Sequence, residues 1–117
     1  MDTATGVFNG RIYVRPEAQK TRAFQANNNL LLSGDATLHT KPQLEIWADD
    51  VKCSHGATTG QLDEEQLFYL RARGLQNHTA RTLLWQAFTK EVIDKISLPT
   101  LRNQLSNSLY NQVGQNI

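Results

Sequence analysis

Apolar positions along the chain change their spacing near Gly60–Asp63. Before that point they fall in short runs or alternate with polar residues, over Val7–Val14, Ala23–Leu32, Thr37–Thr40, Leu44–Ala48 and Val51–Ala57. Turn-forming residues cut these runs: Asn9–Gly10, Arg15–Pro16, Asn27–Asn28–Asn29, Ser33–Gly34–Asp35, Lys41–Pro42, Asp49–Asp50 and Gly56. The pattern predicts a series of short β-strands. In Leu44–Ala48, alternation sets Leu44, Ile46 and Ala48 on one face and Glu45 and Trp47 on the other. The runs recur without a crisp fixed-period repeat, so a sandwich and a coiled β-solenoid both fit the pattern.

After Gly60–Asp63 the apolar spacing is helical, and three helices are predicted. The first opens at Asp63, placed to cap the amide of Gln66, with Gln66 reaching back as in a capping box and Leu62 packing on Leu67. Glu64 and Glu65 in its first turn and Arg71 and Arg73 in its last complement the helix dipole, and Gly74 ends it. The second begins near Asn77–Thr79 and aligns Ala80, Leu83, Leu84, Ala87, Phe88 and Val92. The third takes Ser97 as its cap, carries Pro99 in its first turn and aligns Leu98, Leu101, Leu105, Leu109 and Val113 up to Gly114. Two regions follow, strands over 1–62 and helices over 63–117.

Composition narrows the function classes. With 117 residues, 39% of them hydrophobic, the chain suits one small globular assembly of elements. No apolar run approaches the roughly 18 to 20 residues that span a bilayer, so no membrane partner is expected. The opening Met1–Asp2–Thr3–Ala4–Thr5–Gly6 has neither a secretion-signal nor a transit-peptide pattern, and cytoplasm is the expected compartment. Twelve basic and eleven acidic residues spread evenly, without the basic stripe that a nucleic acid requires. No glycine-rich phosphate loop occurs, so the chain is not expected to bind nucleotide itself. The single cysteine excludes an internal disulfide and a zinc site built from several cysteines of one chain.

The segment Val51–Thr58 places Cys53 and His55 two residues apart. In a strand these share one face, about 7 Å apart at Cα. Thiolate and imidazole suit zinc, copper and iron–sulfur chemistry, yet such centres commonly take about four ligands. A complete site therefore draws on His39, Asp49, Asp50 or a second polypeptide. A cysteine packed as a small hydrophobe and a hydrogen-bonded or exposed histidine explain the same residues without metal. Cysteine nucleophilic catalysis needs an orienting residue, an oxyanion hole and a cleft, and the sequence identifies none of them. Trp47, on the polar face of its run, is a candidate interface anchor.

Two stretches, Lys41-Pro-Gln-Leu-Glu-Ile-Trp-Ala-Asp-Asp-Val-Lys-Cys-Ser-His-Gly-Ala-Thr58 and Leu67-Phe-Tyr-Leu-Arg-Ala-Arg-Gly74, together resemble the C-terminal signature of the SufB/SufD scaffold family. The resemblance runs from about Val7 to the end of the helical tail. The Cys53-Ser-His-Gly-Ala-Thr58 form is similar to the SufD branch, where SufB proteins tend to carry Cys-Glu-His-Glu.

The resemblance implies the end of a right-handed parallel β-helix (β-solenoid) over 1–62, followed by a small C-terminal helical domain over 63–117. It implies a non-catalytic scaffold subunit in iron–sulfur cluster assembly that pairs with a SufB-like chain and docks a SufC-type ATPase. His55 matches a histidine proposed to hold the nascent cluster across the subunit interface, with Cys53 its neighbour. The cluster is expected to be transient and shared with the partner chain, with none on the isolated fragment. Gln66, Arg71, Arg73 and Arg81 on the polar helix faces, with Trp47, are the expected partner-binding residues. Family members are several times longer, so the chain reads as a fragment, and an open strand edge makes a homodimer a further expectation. The competing reading is a metal-free β-solenoid and helical interaction module.

Overall fold

The computed structural model describes residues 3–117. Met1 and Asp2, part of the opening stretch read for a leader, lie outside them. The chain divides into two compact units between Gln61 and Leu62.

The first unit holds four strands of equal length, β1 (Thr5–Val14), β2 (Arg22–Leu31), β3 (Thr37–Ile46) and β4 (Lys52–Gln61). Each pairs in parallel with the strand after next. β1 lies beside β3 in unbroken register from Thr5↔Thr37 to Val14↔Ile46. β2 lies beside β4 from Arg22↔Lys52 to Leu31↔Gln61. Each pair forms a two-stranded sheet, and no strand pairs with its sequence neighbour. Parallel strands cannot be joined by a tight hairpin, so each connection leads into the other pair. Val14 and Ala48 are buried at the ends of β1 and β3, where Trp47 N–H donates to Val14 O at 2.9 Å.

Several turn signals prove to lie inside strands. Lys41–Pro42 was expected to separate two runs, but β3 continues through it. Thr37 N–H donates to Ala4 O and Trp47 N–H to Val14 O, so odd-numbered residues of β3 bond to β1. The hydrogen that Pro42 lacks would point away from β1, and the ladder loses nothing. Asn27–Asn28–Asn29 is likewise extended within β2 rather than turning. Its side chains are engaged across the unit: Asn27 Oδ1 accepts from Thr40 Oγ1 at 2.6 Å and from Asn29 Nδ2 at 2.8 Å, while Asn28 Oδ1 accepts from Thr58 Oγ1 at 3.0 Å. Asn9–Gly10 and Gly56 also fall within strands, β1 and β4. The left-handed residue is instead Lys20, φ 62°, in the turn before β2, where its N–H donates to Asp50 O at 2.6 Å. Ile46, the last residue of β3, is exposed, whereas Ala48 beyond the strand is 7% exposed.

The second unit holds α1 (Glu64–Ala72), α2 (Asn77–Ile93), α3 (Pro99–Leu109) and a terminal π-helical turn at Tyr110–Gly114. Asp63 caps α1 by accepting from Glu65 N at 2.9 Å and Gln66 N at 3.2 Å. Gln66 Nε2 reaches back to the Asp63 carboxylate at 3.3 Å, rather than to its backbone as a capping box would have it. Leu62 and Leu67 are both buried. Gly74, at φ 97°, closes the helix: its N–H donates to Arg71 O and that of Leu75 to Leu70 O, the two bonds of a Schellman ending.

The apolar stripe expected on α2 is rotated. Ala80 and Trp85 are the buried residues of α2, while Leu83 is exposed and Val92 is 65% exposed. The C-terminal turn packs on the Trp85 side of the helix, where Thr82 Oγ1 donates to Gly114 O at 3.3 Å. The third helix begins one residue later than the Ser97 cap implies: Leu98 is the capping position and makes no side-chain cap bond. Leu98, Leu101 and Leu105 remain exposed.

Candidate functional site

Cys53 and His55 sit on β4, an edge strand of its sheet. Their spacing sets both side chains on one face of the strand, and the parallel register places them beside Ala23 and Gln25 of β2. That same face of β2 carries the less exposed residues Ala23, Gln25, Asn27 and Asn29. Cys53 is half-buried and its thiol is free; His55 is exposed. The arrangement therefore offers one sulfur and one imidazole donor from a single strand, the imidazole open to a third body. The donors suit a thiophilic transition metal, and the chain's own contribution stops at two: among the described residues, no group of three or more His, Cys, Asp and Glu side chains is placed to hold a metal ion. His39, Asp49 and Asp50 are not brought into such a group with them.

Residues 1–88 match the family model for the SUF system of FeS cluster assembly, SufBD core domain. The chain belongs to the SufBD family. Among similar members, an iron–sulfur cluster assembly SufBD family protein of Synechocystis sp. is 51% identical over 102 residues, 87% of this chain and 22% of the relative. The iron–sulfur cluster assembly protein SufD of Escherichia coli is 48% identical over 104 residues, 89% of this chain and 25% of the relative. The chloroplastic protein ABCI7 of Arabidopsis thaliana is 48% identical over 101 residues, covering 86% and 21%. The chain thus spans about a quarter of the length of these SufBD relatives.

The residues expected to bind partners are distributed over both units. Trp47 belongs to the first unit, is 60% exposed and donates its indole N–H to Glu45 Oε1 at 3.3 Å. Glu45 in turn accepts from Arg11 Nη1 at 3.2 Å, so an aromatic, a cation and an anion stand together on the outer face of the β1/β3 pair. In the second unit, Gln66 lines an open groove between α1 and α2 with Tyr69, Leu70, Leu83, Leu84 and Ala87. Arg73 lies over the Tyr69 ring at 5.0 Å, on the same side of the helix as Gln66, seven residues earlier. Arg71, two residues from Arg73, points to the opposite side and lines a separate recess with Phe68 and Leu75. Arg81 is half-buried on α2. Their polarity grouped these four; on α1, helical spacing divides Gln66 and Arg73 from Arg71. Sequence reasoning missed the apolar groove, although Tyr69, Leu83 and Ala87 at helical spacing on two adjacent helices were its signal. No helix is long and apolar enough to cross a membrane among the described residues.

Proposed function

We propose that the chain is the C-terminal part of a SufD-like scaffold subunit, and that β4 presents His55, with Cys53 as second ligand or support, to a nascent iron–sulfur cluster. The observation that carries this reading is the pair of donors on one face of an edge strand, in a chain of the SufBD family. Two donors are half of a usual cluster ligand set, so the cluster, as cargo, is held together with residues of a second chain. A SufB-like partner is the expected source, and a second copy of this chain is the substitute where that partner is missing. Neither nucleic acid nor membrane enters this scheme, and the cytoplasm is its proposed compartment.

In the same reading, β1–β4 are the last two coils of a right-handed parallel β-helix. Parallel pairing that skips one strand each time supports it, as does the handedness general to parallel crossovers. The helical unit docks a SufC-type ATPase. The groove between α1 and α2 and the exposed leucines of α3 support a protein-binding role. The chain carries the cargo without turning it over chemically, so it is not proposed to be an enzyme.

The test is anaerobic iron and sulfide analysis of the full-length subunit, co-purified with its scaffold and ATPase partners, in wild-type and His55→Ala forms. Loss of cluster with the complex still assembled is expected. Equal cluster content in both forms refutes the ligand role of His55, leaves the chain a structural and ATPase-docking subunit and moves the chemistry to the partner.

A further inference from the structure

Gln25 faces a problem that His55 can solve. Its Oε1 is the one buried side-chain oxygen or nitrogen among the described residues that lacks a hydrogen-bond partner. An acceptor left in that state costs about 1–3 kcal/mol, and such an atom calls for a donor. Room for the amide is provided on the opposite strand: at Gly10 of β1, a Cβ would collide with Gln25 Nε2. A glutamine is thus accommodated at this point by a glycine, at the expense of a packed side chain.

Two side-chain donors of the same unit are committed elsewhere. Thr40 Oγ1 and Asn29 Nδ2 both donate to Asn27. The register partner of Gln25 is His55, whose Cβ stands on the same face one strand spacing away, about 4.8 Å. A ring N–H of that imidazole is the donor nearest in register, and meeting it takes a change of the Gln25 rotamer from the one that lays Nε2 over Gly10. Metal-bound histidines commonly give their second ring N–H to such an acceptor, which fixes the tautomer and the ring plane.

We propose that Gln25 is a positioning residue for His55: its amide oxygen accepts one ring N–H and so presents the other ring nitrogen, lone pair outward, to the cluster. The inference rests on the reading of His55 as a cluster ligand. It adds that the ligand is set before the cargo arrives.

The experiment reads the ring directly. In the 15N-labelled, metal-free chain, at a pH where histidine is neutral, long-range 1H–15N correlation reports the tautomer of His55, assigned by its loss in His55→Asn. Wild type is expected to hold a single tautomer, Gln25→Leu to relax to the mixture of free imidazole, and Gln25→Glu, which keeps an acceptor, to restore it. A free-imidazole mixture in wild type whose amides are dispersed as in a folded chain overturns the proposal, and this result needs no variant to fold. So does an unchanged tautomer in Gln25→Leu with wild-type amide dispersion, or a lost one in Gln25→Glu. In the full-length complex, Gln25→Leu is expected to weaken cluster retention about ten- to a hundred-fold with assembly intact, and unchanged retention counts against it. The two readings fail separately: retained cluster in His55→Ala removes the ligand, whereas the tautomer measurement tests Gln25 without any metal.

Discussion

Replacing Gly74 with alanine isolates the cost of one backbone conformation. Gly74 is the described glycine with positive φ, at 97°, and a Cβ there meets nothing within 4 Å, so crowding plays no part. Its N–H donates to Arg71 O at 3.0 Å, and alanine keeps that donor. What remains is the left-handed conformation, which costs a residue with a Cβ about 1–2 kcal/mol. Alanine also narrows the unfolded ensemble, which returns about 0.4–1 kcal/mol. The balance is a loss of about 1 kcal/mol from the helical unit. At a urea slope of about 1 kcal/mol/M, the low end for small proteins, the midpoint followed by circular dichroism at the helix band falls by about 1 M. Gly34→Ala is the control: Gly34 has no positive φ, and its Cβ would enter open space. It is expected to be neutral or slightly stabilising in the β unit. A Gly74→Ala midpoint at or above wild type, or equal shifts for both variants, refutes the reasoning.

Two further perturbations test the local chemistry. Asp63→Ala removes the acceptor of two first-turn amides and is expected to cost the helical unit about 1 kcal/mol in urea melts, while Asp63→Asn retains most of the cap. Asn27→Ala leaves Thr40 Oγ1 without its acceptor. A double-mutant cycle with Thr40→Val is expected to give a coupling of about 0.5–1.5 kcal/mol, and additive losses would show that the bond contributes nothing.

The helical half was readable because its signals are local. Asp63, Leu62, Leu67 and Gly74 act within one or two turns of chain: Asp63 caps the helix, Gly74 ends it, both leucines are buried, and the Gln66 bond goes to the carboxylate. The face of α2 was not, because burial of Trp85 depends on what packs there, and that partner lies some thirty residues on, at Gly114. In the β half, strand existence was legible and strand length was not. Pro42, Gly10 and Asn27–Asn29 carry turn propensities that the register overrides: one lacks a hydrogen the ladder does not use, one leaves room for Gln25, and the asparagines spend their side chains on Thr40 and Thr58. The parallel pairing escaped notice because it lives in which positions pair, Thr5 with Thr37 and Arg22 with Lys52, rather than in residue identity. Cys53 and His55 were legible as a pair from their spacing. Gln25 was not, since only the register puts it beside His55.

Pro42 has one more effect, on self-association. The flank of β3 turned away from β1 offers backbone donors from Leu38, Thr40, Leu44 and Ile46, with a gap at the middle of the row. A foreign strand laid along it would lose a bond at its centre, which makes that flank a poor template for stacking copies into aggregates. On β4, Lys52 N–H donates to Thr21 O, so the outward groups belong to Cys53, His55, Ala57, Thr59 and Gln61, and no imino acid interrupts them. Of two flanks alike in length, the one that carries the cysteine and histidine keeps its row of donors whole. A single proline thus sets the two flanks apart as templates and leaves the unbroken row of donors on the strand with the cysteine and histidine.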